Sequence, residues 1–308
     1  MHLIKGPGKE LIVSDTGNSR VVRFTQQGDF VGIVGRRGEG PGEFLDPGDI
    51  DYVSTDSTLW VVERNARRFL VSVFRLQGTG SSFLRSFTAQ GVGLQGDPGL
   101  IVLPDRTFLI SPRGEENRLH RVSEDGVLLA AFGELWVPSE STGPPRYSGW
   151  NGNHLVQTAP DTLALVWVSK PEIEVWTVGG AFVRGAPIPS PPLLRGKERQ
   201  VSREGARPVY VLSASYEPSD RRIYLLSQID EFTVELIGLS IDTFEPEIVA
   251  ESTFDEPVLV RSLVTAKSNE TIRFFAIENR SAGVITATLD EKKQPSLPEE
   301  YTPKTGGH

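Results

Sequence analysis

Short apolar runs alternate with tight polar turns along nearly the whole chain, and the alternation recurs at a spacing of about fifty residues. The clearest copy lies between Glu10 and Tyr52 and reads ELIVSD, TGN, SRVVRFT, QQGD, FVGIVG, RRGEGPGEFLDP, GDIDY. LIVSD, RVVRF, LWVVE, FLVSVF, LALVWV, IEVWTV, RIYLLS, FTVELIGL, IRFFAI and VITATL share one character. They are short, rich in β-branched and aromatic residues, and bounded by turns, which predicts strands. No stretch keeps a helical period between recognisable caps, so the expected class is all-β.

The phase of the repeat selects the architecture. A proline precedes an apolar first strand at Pro47, Pro98, Pro208 and Pro257, and Asn151-Gly152 holds the corresponding place between Pro98 and Pro208. Each interval of about fifty residues has room for four strands, which is one propeller blade. The expectation is a six-bladed β-propeller of four-stranded antiparallel blades at about 1–46, 47–96, 97–149, 150–206, 207–256 and 257–290, then a Pro-rich, loosely held tail over 291–308. Polar turns at Thr55–Thr58, Pro104–Arg106, Pro160–Asp161 and Pro218–Arg221 join first strands to second. There proline presets φ and aspartate bonds its own backbone. Both ends are irregular. Met1 falls level with Asp49, so the chain opens on a first strand, and the last blade offers three strands, 258–266, 271–278 and 283–289. The ring is expected to close with the last outer strand missing, or supplied by residues near 294–301.

Composition narrows the function classes. The chain has 308 residues, 38% hydrophobic and 23% charged, which is ordinary for a soluble globular protein. A net charge of -8 argues against nucleic acid as partner, since phosphate binding needs a basic face. The absence of cysteine excludes disulfides, thiolate nucleophiles and Cys-ligated zinc. No apolar run is long enough to span a membrane, and MHLIKGPGK has no signal-peptide h-region. Arginine outnumbers lysine 24 to 8, which reads as genomic bias before chemistry.

Asp15-Thr16-Gly17-Asn18-Ser19-Arg20, then Gly28-Asp29-Phe30, then the loop Gly35–Phe44 (GRRGEGPGEF) together resemble an NHL repeat. Partial copies follow at Glu63, Asn65 and Arg67, at Asn117-Arg118 with Asp125-Gly126, and at Asn279-Arg280. The resemblance implies the six-bladed propellers of bacterial envelopes, hence an exported or envelope location. In the turn, Asp15 and Asn18 are expected to satisfy local backbone donors and Gly17 to supply a left-handed backbone. Arg20 is expected to reach across to the next blade. The Gly-rich loop lacks the ending and the following helix of a phosphate cradle, so it reads as a structural connection, with Arg36 and Arg37 free to meet an anion.

Loops leading into first strands and loops joining second to third strands emerge on one face, around the central channel, where a concave ligand site is expected. Asp46, Asp49, Asp97, Trp150, Asn151, Asn153, His154, Arg207, Tyr210 and Glu256 fall there. Asp49 and Asp51 alternate, so both point to one side of their strand. With Asn153 or Glu256 they would suit Ca²⁺; the alternative is solvated carboxylates ringing a watery channel. His154 is the one histidine placed at the mouth, open to an acid–base pairing with Asp97 or Glu256 or to a plain hydrogen bond. His120 is expected on the surface, and His2 and His308 at the termini. Long loops at 134–149 and 187–206 read as a partial lid, or as solvated loops, with Trp136, Tyr147 and Trp150 as apolar contacts. Two functions remain open: a monomeric, non-enzymatic module binding a peptide, glycan or protein at this face, or a hydrolase or lyase with a divalent cation at the channel mouth. No catalytic residue is assigned.

Overall fold

The computed structural model describes residues 2–65, 68–92, 95–113, 117–135, 152–168, 172–188, 211–228, 233–253, 260–268, 271–278 and 284–290. Five four-stranded antiparallel sheets and one three-stranded sheet follow one another along the chain, each running from an inner to an outer strand in sequence order. The innermost strands are Leu3–Lys5, Pro47–Val53, Gln95–Val102, Asn153–Ala159, Ser213–Glu217 and Val260–Ser268, in blades I to VI. Each packs beside the next, and the sixth packs beside the first, so the blades form a closed ring around a channel. Among the described residues the only helical turns are 3-10 turns at Pro7–Lys9 and Thr16–Asn18. No helix among them is long and apolar enough to cross a membrane.

Both faces of a blade are covered by its neighbours, which explains near-continuous apolar runs where a half-exposed sheet would alternate. Leu59, Trp60, Val61 and Val62 are successive residues of one strand, and all are at most 1% exposed. The core is accordingly divided into layers between blades. Phe44, Ile50 and Phe74 fill the layer of blades I and II, and Trp60, Val71 and Phe108 that of II and III. Leu109, Leu163 and Trp167 fill the layer of III and IV, and Val166, Ile223 and Ile237 that of IV and V.

Arginines stitch these layers together. Arg23, 1% exposed, binds Glu10 through two nitrogens (2.8 and 3.0 Å) and reaches the Gly78 and Gly80 carbonyls of blade II at 2.7 and 3.1 Å. Arg85 links blade II to Glu124 of blade III, and Arg106 of blade III returns to Asp56. Arg118 pairs with Glu174 of blade IV at 2.8 Å and lies 4.5 Å from the centre of the Trp167 ring. Arg184 donates to the Ile241 and Asp242 carbonyls of blade V and stacks on Phe244. The arginine excess therefore has a structural use: a planar guanidinium serves several acceptors at once while covering an aromatic face.

Two details of the NHL-like turn differ from expectation. Arg20 does not cross to the next blade; its Nε donates to Asp15 at 2.9 Å, beside Asn18, which donates to the same carboxylate at 2.9 and 3.0 Å. Hydroxyls make the crossing instead: Ser14 and Thr16 donate to the Pro47 carbonyl (3.0 and 2.7 Å) and Ser19 to that of Leu45 (2.8 Å). The left-handed residue is Ser19 (φ 55°), not Gly17. The Gly-rich loop is a structural connection. Arg36–Arg37 pairs in parallel with Glu43–Phe44, Arg36 is held by Glu43, and Phe44 is fully buried.

The chain opens on the inner strand of blade I, and blade VI has three strands among the described residues. Ring closure here rests on side chains. Leu3 N–H donates to Ser262 Oγ at 3.0 Å, Leu3 packs with Val264, and Lys5 reaches past blade VI to Glu217 of blade V at 3.1 Å.

Candidate functional site

The inner strands enclose a cavity of about 950 Å³. Its wall comes from the starts of the inner strands and from second-to-third-strand loops, represented by Thr16, Gly17 and Val168. Apolar backing is supplied by Leu3, Ile50, Leu100, Leu155, Val211 and Leu263. The polar groups interleave with it: His2, Asp49, Asp51, Asn153, His154, Gln157, Tyr216 and three hydroxyls. No lysine or arginine lines it among the described residues.

Asp49 and Asp51 do lie on one side of their strand, and both turn to blade III. Asp49 Oδ2 accepts Leu100 N–H and Asp51 Oδ2 accepts Val102 N–H, each at 2.7 Å. Their other oxygens accept the amides of Ile50 and Tyr52, both at 2.9 Å. Asp49 Oδ1 also lies 3.0 Å from His2 Nδ1. Burial, opposed by the Val102 amide and reinforced by the Asp49 charge, pushes the Asp51 carboxyl up to about 7. His154 Nε2–H donates to the Val211 carbonyl at 3.3 Å, tying blade IV to blade V.

Asp49, Asn153 and His154 thus share one cavity, and Asn153 is buried. Asp46 lies just ahead of the blade II inner strand and is not part of the wall. Asp97 belongs to the blade III inner strand. Trp150, Asn151, Arg207, Tyr210 and Glu256 lie outside the described residues, as do Trp136, Tyr147 and nearly all of both proposed lid loops. No group of three or more His, Asp or Glu side chains stands together for a metal among the described residues. Two histidines sit elsewhere than expected. His120 is buried, not on the surface, and burial holds its imidazole below the usual range. His2 lines the channel, because the chain begins on an innermost strand. The alignment of Met1 with Asp49 carried that signal.

Residues 1–81 match the model of a family described as a 6-bladed beta-propeller. The chain is a six-bladed β-propeller. A structure from Bacteroides fragilis superposes on this propeller with a TM-score of 0.56 at 13% identity, over 89% of this chain and 78% of that one. A protein of unknown function from Bacteroides caccae gives 0.52 at 9% identity, over 92% and 90%. A catalytically inactive virginiamycin B lyase from Staphylococcus aureus, determined with Quinupristin, gives 0.53 at 12% identity, over 94% and 84%. At these identities the likeness shows the fold alone, and the fold hosts both an enzyme and proteins of unknown function. Comparison with curated proteins finds no match.

Proposed function

We propose that this propeller is a non-enzymatic binding module that takes a peptide, a glycan or a segment of a protein partner at the channel mouth. The observation that carries the reading is the cavity: about 950 Å³, walled by apolar and polar surface in comparable shares, with converging polar groups of which Asp49, Asp51 and His154 are fixed in place. Asp49 and Asp51 hold backbone amides, and His154 holds a carbonyl. Groups fixed in this way make a pre-organised recognition surface, because their geometry is set before a ligand arrives. A wall without lysine or arginine among the described residues also favours neutral or cationic groups over anions.

A glycan array and a displayed peptide library are the probes. A hit measured by calorimetry should weaken at least about tenfold when Asn153→Ala or His154→Ala is introduced, at a temperature where each variant's melting curve shows it folded. Binding unaffected by either change, or turnover of the hit by the purified chain, would overturn the reading.

A further inference from the structure

The cavity wall carries carboxyl charge that the described basic groups do not fully offset. Glu10, Asp15, Glu174 and Glu217 have side chains 8–19% exposed, and each has an arginine or lysine within 3.1 Å. Asp49, at 15%, has the His2 imidazole in that place, 3.0 Å away. Asp51 meets the Val102 and Tyr52 amides, and no cation among the described residues. Both carboxyls accept N–H at both oxygens, which favours their ionised forms, while burial side by side opposes it. A protonated His2 would offset one charge of the two. On blade I, Lys5 is engaged by Glu217 and Arg20 by Asp15.

The seam between blades II and III does not require this charge. In blade V, Ser213 Oγ accepts Leu263 N–H and Ser215 Oγ accepts Thr265 N–H, at 2.9 and 3.2 Å. The pairs Val53–Thr58 and Glu217–Arg222 close the two first hairpins, each over a four-residue turn, so Asp51 matches Ser215 and Asp49 matches Ser213. A hydroxyl at these positions holds the next inner strand. Blade II sets carboxyls there instead, on the wall of the cavity.

We propose that the channel seats a basic side chain, lysine or arginine, of a peptide or protein partner, with its stem on the apolar wall and its charged head between Asp49 and Asp51. The inference rests on the cavity being a binding site and names what enters it. Asp49 lies near the mouth, and Asp51 two residues, roughly 7 Å, deeper along the same strand. A long side chain entering there passes the first carboxyl and reaches the second. Leu3, Leu155 and Leu263 line the same cavity and suit an alkyl stem, which buries on apolar surface behind a charged head. Tyr216 adds an aromatic side chain, which attracts a cation. A bare metal ion fits less well. Ca²⁺ takes about six to eight oxygen ligands, and among the described residues no group of three His, Asp or Glu side chains stands together.

Blocked pentapeptides Ala-Ala-X-Ala-Ala, with X lysine, arginine, norleucine, citrulline or glutamate, are titrated into the full chain by calorimetry. Norleucine and citrulline keep the stem and remove the charge. The lysine or the arginine peptide should bind at least about tenfold tighter than its neutral counterpart, and the glutamate peptide most weakly. Asp51→Asn should cut that preference about tenfold, and Asp49→Asn does the same service if the first variant folds poorly. Equal binding of charged and neutral peptides overturns the proposal and leaves the binding module standing. So does a preference that survives in both variants. Binding of none of the peptides also overturns it, and the glycan array and peptide library then decide the module by themselves. A Ca²⁺ isotherm that Asp49→Asn abolishes overturns it in favour of a metal.

Discussion

Arg118 and Arg36 show how unequal two arginine–glutamate pairs of equal length can be. Both span 2.8 Å, but the Arg118 side chain is 7% exposed and that of Arg36 is 82%. The buried pair is a hub: Glu174 accepts Arg118, Trp167 Nε1 at 3.1 Å and Trp176 Nε1 at 2.8 Å, while the guanidinium covers the Trp167 face. Removing one partner leaves a desolvated charge, which costs far more than the pair itself contributes. Arg118→Ala is expected to destabilise by about 3–5 kcal/mol in urea unfolding, and to change the emission of the flanking tryptophans in the folded state. Arg36→Ala should leave the midpoint unchanged within error, because solvent already screens that pair. Composition records 24 arginines without saying which are buried. That depends on which strand lies at a blade interface, and only the ring decides it.

At the scale of the element, glycines that look alike in the repeat are not. Gly35 has φ +69°, and a Cβ there would lie 2.2 Å from Phe44 Cε2 and 3.0 Å from the Gly42 carbonyl oxygen. Phe44 is fully buried between blades I and II and cannot yield. Gly35→Ala should therefore cost about 2–4 kcal/mol, combining left-handed strain with overpacking, and lower the thermal midpoint accordingly. Gly17 has no left-handed φ and nothing within 4 Å, so Gly17→Ala should be nearly neutral in the same measurement. The turn rhythm was legible in the sequence because proline, aspartate and glycine mark chain reversals. The residues bearing the left-handed strain were not. Lys9, Ser57, Arg106 and Arg221 carry positive φ at the ends of four first hairpins, and no residue type among them advertises it. The inner strands show the same divide. Alternation placed Asp49 and Asp51 on one side correctly, but their partners, Leu100 and Val102, lie fifty-one residues away in sequence on another blade.

At the scale of the molecule, the ring closes without a shared outer strand among the described residues, so the closure depends on a few polar contacts and inherits their pH dependence. Burial alone would raise the Glu217 carboxyl, yet the Lys5 ammonium, with Ser219, holds it below the usual range. A carboxyl whose folded pKa is depressed adds stability that is present above its unfolded pKa and lost as pH falls through the folded one. Against their own desolvation, Asp56 is held down by Arg106 and Asp105 by Thr107 and then Arg121, and both add to the same acid limb. Asp51 works in the opposite sense. Its folded pKa stands above the unfolded value of 3.8, so its contribution is complete below 3.8 and disappears as pH rises through about 7. The two limbs together place the stability maximum in mild acid. Glu217→Gln separates them. Since Lys5 is 42% exposed, the pair is screened and its loss should cost at most about 1 kcal/mol at neutral pH. That deficit should shrink toward zero as the wild-type carboxyl protonates, leaving the neutral limb set by Asp51 untouched. Urea midpoints measured from mild alkali into acid decide the matter. A deficit that stays constant into acid would mean that the lost contact was steric packing rather than charge, and that ring closure does not depend on the Lys5–Glu217 ion pair.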